Sequence, residues 1–263
     1  MTVDLLLLLA GGLAAGTMGG LLGLGGGIIL MPLLRFVVGL PAATAAGTTI
    51  LAVFFTTLGG TYRHLRQKQL RLASILPLVL TGAAASALFS LVFDYLARRG
   101  RWLDLGIGLV FAGIAGRMIH SGFSHRTDDQ PGAAGDNRVR GPLWLKLVIG
   151  AAAGVLPGLL GIGTGGILVP VLTFLLLTPI KTAMAASLAC FSVNAAISAA
   201  FKAAQGHIVT EVALPLCLGT VTGANLGAML NRRFSSRAVK LLFGAVFAYV
   251  SLRFVLSFHG ANA

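Results

Sequence analysis

The groups in this chain best suited to chemistry belong to its backbone. Gly23-Leu24-Gly25-Gly26-Gly27 and Gly161-Ile162-Gly163-Thr164-Gly165-Gly166 interrupt long apolar stretches. A glycine inside a helix costs up to about 1 kcal/mol relative to alanine, so clusters this dense predict unwound backbone. At membrane depth, unwound backbone is tolerated only where protein or a hydrated cavity satisfies it. Each segment that resumes after a cluster starts with unpaired N–H groups and the positive end of a helix dipole, which suits an anion. Gly25, Gly26, Gly27, Gly163, Thr164, Gly165 and Gly166 are therefore expected to line a binding site. The wider-spaced glycines read differently. Gly12, Gly16 and Gly20, and likewise Gly154 and Gly158, recur every fourth residue and suit close helix packing. Gly161, Gly163 and Gly166 also spell a dinucleotide fingerprint, but no strand precedes them and no acidic residue follows about 20 positions on.

Small polar residues form the second candidate set. Thr48, Thr49, Ser187 and Asn194 lie in the apolar spans that follow Pro41 and Pro179. Hydroxyls and an amide can donate to a desolvated anion without a fixed charge that would trap it. Hydrogen bonding between helices would use the same groups equally well. Asn225 is a weaker candidate, since its counterpart in the repeat described below is Ala87. Asp94, Asp104 and Glu211 fall near span ends, where caps and snorkelling account for them. Lys181 and Lys202 are expected near interfaces, with attraction of anions a secondary role. His64 and His207 flank loops and are expected to be solvated. A cation or metal exporter needs carboxylate, imidazole or thiolate ligands at depth, and an intramembrane enzyme needs a nucleophile beside a base. The spans offer almost none of the first and no serine–histidine pair, and nothing implies a cofactor. Cys190 and Cys217 sit far apart in apolar spans and read as inert thiols. A non-transporting membrane scaffold remains compatible with the sequence.

The elements that position these residues are membrane spans. Of 263 residues 56% are hydrophobic and 10% charged, against about 25% charged in soluble domains. Several stretches run about 18 residues or more without a charge, enough to cross a bilayer core; from Leu5 to Phe36 the first basic residue is Arg35. The net charge of +13 falls in short bursts between apolar runs. That is the pattern of membrane topology, not of a nucleic-acid surface. The N-terminus lacks a basic region before its apolar run, which argues against a cleaved signal peptide.

Residues Gly16 to Pro32 align without gaps to Gly154 to Pro170, an offset of 138. The same offset pairs Pro41 with Pro179, Thr44 with Thr182, Gln67 with Gln205, Pro77 with Pro215 and Gly106 with Gly244. The chain is a duplication, and each copy reads as five helical segments. These fall at about 5–22, 26–38, 42–61, 72–93 and 102–120, then about 143–160, 164–177, 181–203, 210–230 and 238–257. Repeat 1 is thus 1–121 and repeat 2 is 143–263. The hydrophilic, Pro- and Gly-containing stretch 122–142 is an exposed linker. If the glycine clusters join half-spans, an odd number of crossings per copy makes the repeats inverted. Fourteen basic residues, among them Arg63, Arg66, Arg71, Arg232 and Arg233, then share one side. Six oppose them: Arg35, Arg98, Arg99, Arg101, Lys202 and Arg253. One continuous crossing per cluster gives a split of only 11 to 9. The positive-inside rule favours the inverted arrangement, with both termini outside the cytoplasm and the linker within it. The expected fold is an all-α integral membrane protein of two tandem inverted repeats with broken or re-entrant Gly-rich helices, multi-pass in a bacterial inner membrane.

The glycine clusters, running on to Pro32 and Pro170, are each followed by a proline and a small-residue span. Those spans are Ala45-Ala46-Gly47-Thr48-Thr49 and Ala183-Met184-Ala185-Ala186-Ser187. This pattern resembles the sulfite exporter TauE/SafE family, as do the length and the duplicated halves, and the resemblance covers nearly the whole chain. It implies transport of small sulfur-containing or organic anions such as sulfite, sulfoacetate or thiosulfate, without choosing among them. The partners so implied are a small inorganic or organosulfur anion and the lipid bilayer, with no nucleic acid. A homo-oligomer is compatible with the sequence.

Overall fold

The computed structural model describes residues 5–22, 25–66, 70–97, 137–161, 163 and 165–230, with runs of two or three residues between 105 and 120 and between 248 and 253. All of the described elements are helical. Repeat 1 contributes α1 (Leu5–Leu22), α2 (Gly27–Pro32), which runs on as a π-helical turn (Leu33–Val37), α3 (Ala42–Arg66) and α4 (Leu76–Ala97). Repeat 2 contributes α5 (Leu143–Leu160), α6 (Gly165–Leu175), α7 (Ile180–Ala204) and α8 (Thr210–Leu230). The expected segment at 102–120 is described only in part, its described positions being helical, and most of that at 238–257 lies outside the described residues. Four helices, α3, α4, α5 and α7, are long and apolar enough to cross a bilayer. Leu80, Leu88 and Leu91 of α4 and Leu214 and Leu218 of α8 point outward, as leucines facing lipid do.

Residue contacts fix the helix directions. Gly12 packs on Leu216, Gly16 on Thr220 and Gly20 on Ala224, so α1 and α8 run parallel. The same register, moved by 138 residues, joins α5 to α4: Gly150 on Leu78, Gly154 on Gly82 and Gly158 on Ser86. These are the glycines spaced for close packing. A Cβ at Gly16 would strike the Thr220 carbonyl, and one at Gly154 the Gly82 carbonyl. In lipid no hydrophobic force draws helices together, so close backbone approach supplies much of their attraction.

The central pair is α3 with α7. Gly60 faces Leu188 towards the end of α3, and Gly47 near its start faces His207 beyond the end of α7. The two helices are therefore antiparallel. Thr220 lies beside Ala52, with its Oγ1 3.5 Å from the carbonyl, and Val209 N–H donates to Thr48, so α8 runs with α3. Ser86 donates to the Asn194 carbonyl and Gln205 to that of Ser90, so α4 runs with α7. In sum α1, α3 and α8 point one way and α4, α5 and α7 the other.

Between α1 and α3 the chain doubles back. Gly26 touches Ala15 and Gly19, and Leu33 touches Gly11, so α2 descends along α1. The stretch Gly27–Val37 rises only about 16 Å at about 1.5 Å per residue, roughly half a hydrocarbon core of about 30 Å. Its inner face, Ile28, Leu30, Met31 and Leu34, packs into a core with Ile50, Val53, Phe191 and Leu216. In repeat 2, Leu168, Leu172 and Leu176 pack into a second core with Leu78, Ala183 and Ala186. Of the stretch 122–142, residues 137–142 are described, and all of these but Val139 are exposed. Residues 137–139 dock on the start of α4: Arg71 N–H donates to the Asn137 carbonyl, Val139 N–H to Ser74 Oγ, and Val139 is buried.

Candidate functional site

The two glycine clusters meet. Gly25 and Gly26 both have φ of 75°, a left-handed conformation that a residue with a Cβ adopts only with strain. This turns the chain at mid-height, against the middle of α3 and α7. A Cβ at Gly25 would lie 2.9 Å from Thr57 Cγ2 and 3.1 Å from Phe191 Cε1. One at Gly27 would lie 2.7 Å from Val53 Cγ2 and 3.3 Å from the Gly163 backbone nitrogen. Only bare backbone brings the two turns this close. In repeat 2, Gly161 (φ 65°) ends α5 and presses on the Ala46 carbonyl of α3. Gly165 and Gly166 then begin α6, and Thr164 lies outside the described residues.

The small polar residues divide. Thr49 borders the first turn, its Cγ2 3.4 Å from where a Gly27 Cβ would sit, and its hydroxyl lies 4.0 Å from Met31 Sδ. Thr48, one residue away, faces elsewhere and accepts the Val209 N–H at 3.2 Å. Ser187 is buried and its hydroxyl finds no hydrogen-bond partner among the described residues. Asn194 faces α4 away from the turns, with Nδ2 3.9 Å from Cys190 Sγ and Oδ1 without a partner among the described residues.

Two expectations are corrected here. Lys202 is fully buried, not at an interface. Its Nζ donates to the carbonyls of Pro157 (3.1 Å) and Gly158 (2.7 Å) and to Ser198 Oγ (2.8 Å), and lies 4.1 Å from the Phe93 ring centroid. These carbonyls belong to the last turn of α5, where a cation is favoured; that of Pro157 also accepts the Gly161 N–H at 3.2 Å. Ser198 also donates to the Pro157 carbonyl at 2.6 Å. The signal was in the sequence: a serine and a lysine four apart on one helix face, in a span otherwise nearly free of charge. His207, expected to be solvated, is instead paired. Its Nε2 lies 3.2 Å from Asp94 Oδ1 and its ring meets Phe93 edge-on at 5.4 Å.

A cavity of about 40 Å³ runs beside the first turn, bordered by Gly25, Thr56, Gly60, Arg63, His64 and Asn225. It extends from mid-height to the last turn of α3, where the basic residues stand. Among the described residues no group of three or more histidine, cysteine or acidic side chains gathers that could hold a metal ion.

The family model for sulfite exporter TauE/SafE matches residues 8–254. The chain is 26% identical to the probable membrane transporter protein YunE of Bacillus subtilis, over 93% of this chain and 94% of that one. It is 25% identical to a probable membrane transporter protein of Methanocaldococcus jannaschii, over 95% of each. It is 29% identical to one of Xylella fastidiosa, over 88% of this chain and 85% of that one. No solved structure matches it.

Proposed function

The chain belongs to the sulfite exporter TauE/SafE family and is a membrane transporter, and from that premise we propose that it carries small sulfur-containing or organic anions, of the sulfite, sulfoacetate or thiosulfate class, by alternating access across a bacterial inner membrane. The observation that carries this reading is the meeting of Gly25–Gly27 with Gly163 at mid-span. Paired breaks in repeated halves are where transporters bind their solutes. The anion passes between the two turns, taking hydrogen bonds from backbone N–H groups, from Thr49, and from Ser187 at the equivalent position of the second copy. Thr48 and Asn194 support the surrounding helices.

The antiparallel course of α3 and α7 supports inverted repeats, because these are equivalent elements of the two copies. Arg63 and Arg66 at the end of α3 support a cytoplasmic position for that end, with both termini outside. Purified protein in liposomes, loaded in turn with sulfite, sulfoacetate and thiosulfate, tests the substrate class. Flux of at least one is expected; no flux of any from folded protein refutes the anion reading. Gly26→Leu or Gly165→Leu is expected to abolish that flux while the protein still inserts. Survival of flux in both would reduce the turns to packing.

A further inference from the structure

The repeat offset sets the cavity beside the Lys202 cluster position by position. Gly19, Gly20, Gly25, Thr56, Gly60 and His64, all bordering the cavity, are the counterparts of Pro157, Gly158, Gly163, Asn194, Ser198 and Lys202. One place in the fold is therefore built twice with different contents. In repeat 2 the lysine stem reaches across to α5, and its ammonium is held by two carbonyls and a hydroxyl over the Phe93 ring. In repeat 1 the shorter His64 and the bare Gly60 leave that volume unfilled. Because α3 and α7 are antiparallel, the two places lie towards opposite ends of the bundle. Among the described residues the contacts of Lys202 include no carboxylate; Asp94, the residue after Phe93, is engaged by His207.

We infer that the cavity is the open vestibule by which a small oxyanion reaches the glycine turns from the basic end, and that Lys202 closes the equivalent vestibule at the opposite end. This rests on the transport reading and deepens it. The structure is the state open at the Arg63–His64 end. In the opposite state Lys202 leaves the Pro157 and Gly158 carbonyls and offers its charge to the departing or arriving anion. The two ends are then chemically distinct, with Arg63 and His64 receiving the anion on one side and a single lysine on the other. Ser198 is positioned to hand the ammonium between its closed and open contacts.

Thiol accessibility tests this without any need for transport. Gly60→Cys, Thr56→Cys and Ser198→Cys are introduced singly in a Cys190→Ala, Cys217→Ala background, reconstituted and treated with a small sulfonate-bearing methanethiosulfonate. A site open only in a minor state, populated at about 0.1–10%, reacts at least about tenfold more slowly than one open in the major state. Gly60→Cys or Thr56→Cys is therefore expected to react at least about tenfold faster than Ser198→Cys, and from the face bearing Arg63. Adding Lys202→Ala, or Lys202→Met if the alanine variant is not monodisperse, should bring the Ser198→Cys rate up towards the other two. Equal rates with Lys202 present would overturn the inference, as would inert thiols at both cavity positions in folded protein. Labelling as expected with no flux of any anion would instead sink the transport reading and leave the two vestibules standing. Reversed labelling with flux intact would sink the inference alone.

Discussion

Two left-handed glycines provide a matched pair that isolates the cost of close backbone approach. Gly161 has φ of 65° and Gly206 has φ of 76°. An alanine at either is strained by about 1–2 kcal/mol, partly offset by about 0.4–1 kcal/mol from a stiffer unfolded chain. At Gly206 nothing lies within 4 Å of the added Cβ, so Gly206→Ala should cost about 1 kcal/mol or less. At Gly161 the Cβ meets the Ala46 carbonyl, its carbon at 2.8 Å and the Ala46 Cβ at 2.9 Å. This is buried backbone in the second turn of α3 and cannot swing aside. Overpacking of that kind adds about 1–3 kcal/mol, for a total of about 2–4 kcal/mol. At about 2–4 °C per kcal/mol the two variants should separate by several degrees in melting temperature. Melting in detergent can be followed with a thiol-reactive fluorophore, because Cys190 is buried and Cys217 half-buried until the helices part. Equal shifts would refute the claim that Gly161 is fixed by its contact with α3 and not by its φ alone.

The adjacent threonines should separate structure from binding. Thr48→Val deprives Val209 N–H of its acceptor and should cost about 1–3 kcal/mol of stability with little change in the KM for anion flux. Thr49→Val should raise that KM with little loss of stability; the opposite pattern would reverse their assignments. Gly154→Leu should disrupt the α4–α5 seam and yield aggregated protein, whereas leucine at Gly59, which has nothing within 4 Å, should leave the elution profile unchanged on size-exclusion chromatography. The pairing of Asp94 with His207 leaves the two side chains 38% and 20% exposed. A double-mutant cycle with Asp94→Asn and His207→Ala should therefore give a coupling of only about 0.2–1 kcal/mol; a larger value would mean that the pair does more than bridge α4 to the α7–α8 turn.

The sequence made the helices legible because long uncharged runs bounded by glycine and proline leave few alternatives. Helices α1, α5 and α8 begin and end where the apolar pattern does. The glycine turns were legible for the same reason, since consecutive glycines have no other use in a span. Side-chain direction was not. Lys202 lies three residues before the end of α7's span at Gln205, which suggests an interface. Helical side chains, however, lean back towards the N-terminus, and this one leans into the bundle to partners some 45 residues away in sequence. Thr48 and Thr49 are neighbours in sequence but about 100° apart around a helix of 3.6 residues per turn. Which of them faces the glycine turn depends on where α2 and α8 pack, which no local pattern encodes. The union of His207 with Asp94 spans 113 residues and is equally invisible in the local pattern.

The crossed seams have a consequence for how such a chain is made. The glycine ridge of α1 is made long before its partner α8, so Gly12 must wait in lipid for Leu216. The mirror seam, α4 with α5, closes as soon as the linker has passed. Assembly is thus staggered, with one seam zipped early and its twin left ajar until α8 has been made. A single repeat on its own would have both ridges unmatched, and a second copy would have to supply their partners. Fusing two such copies into one chain turns a meeting of two molecules into an event within one, and leaves each half free to drift.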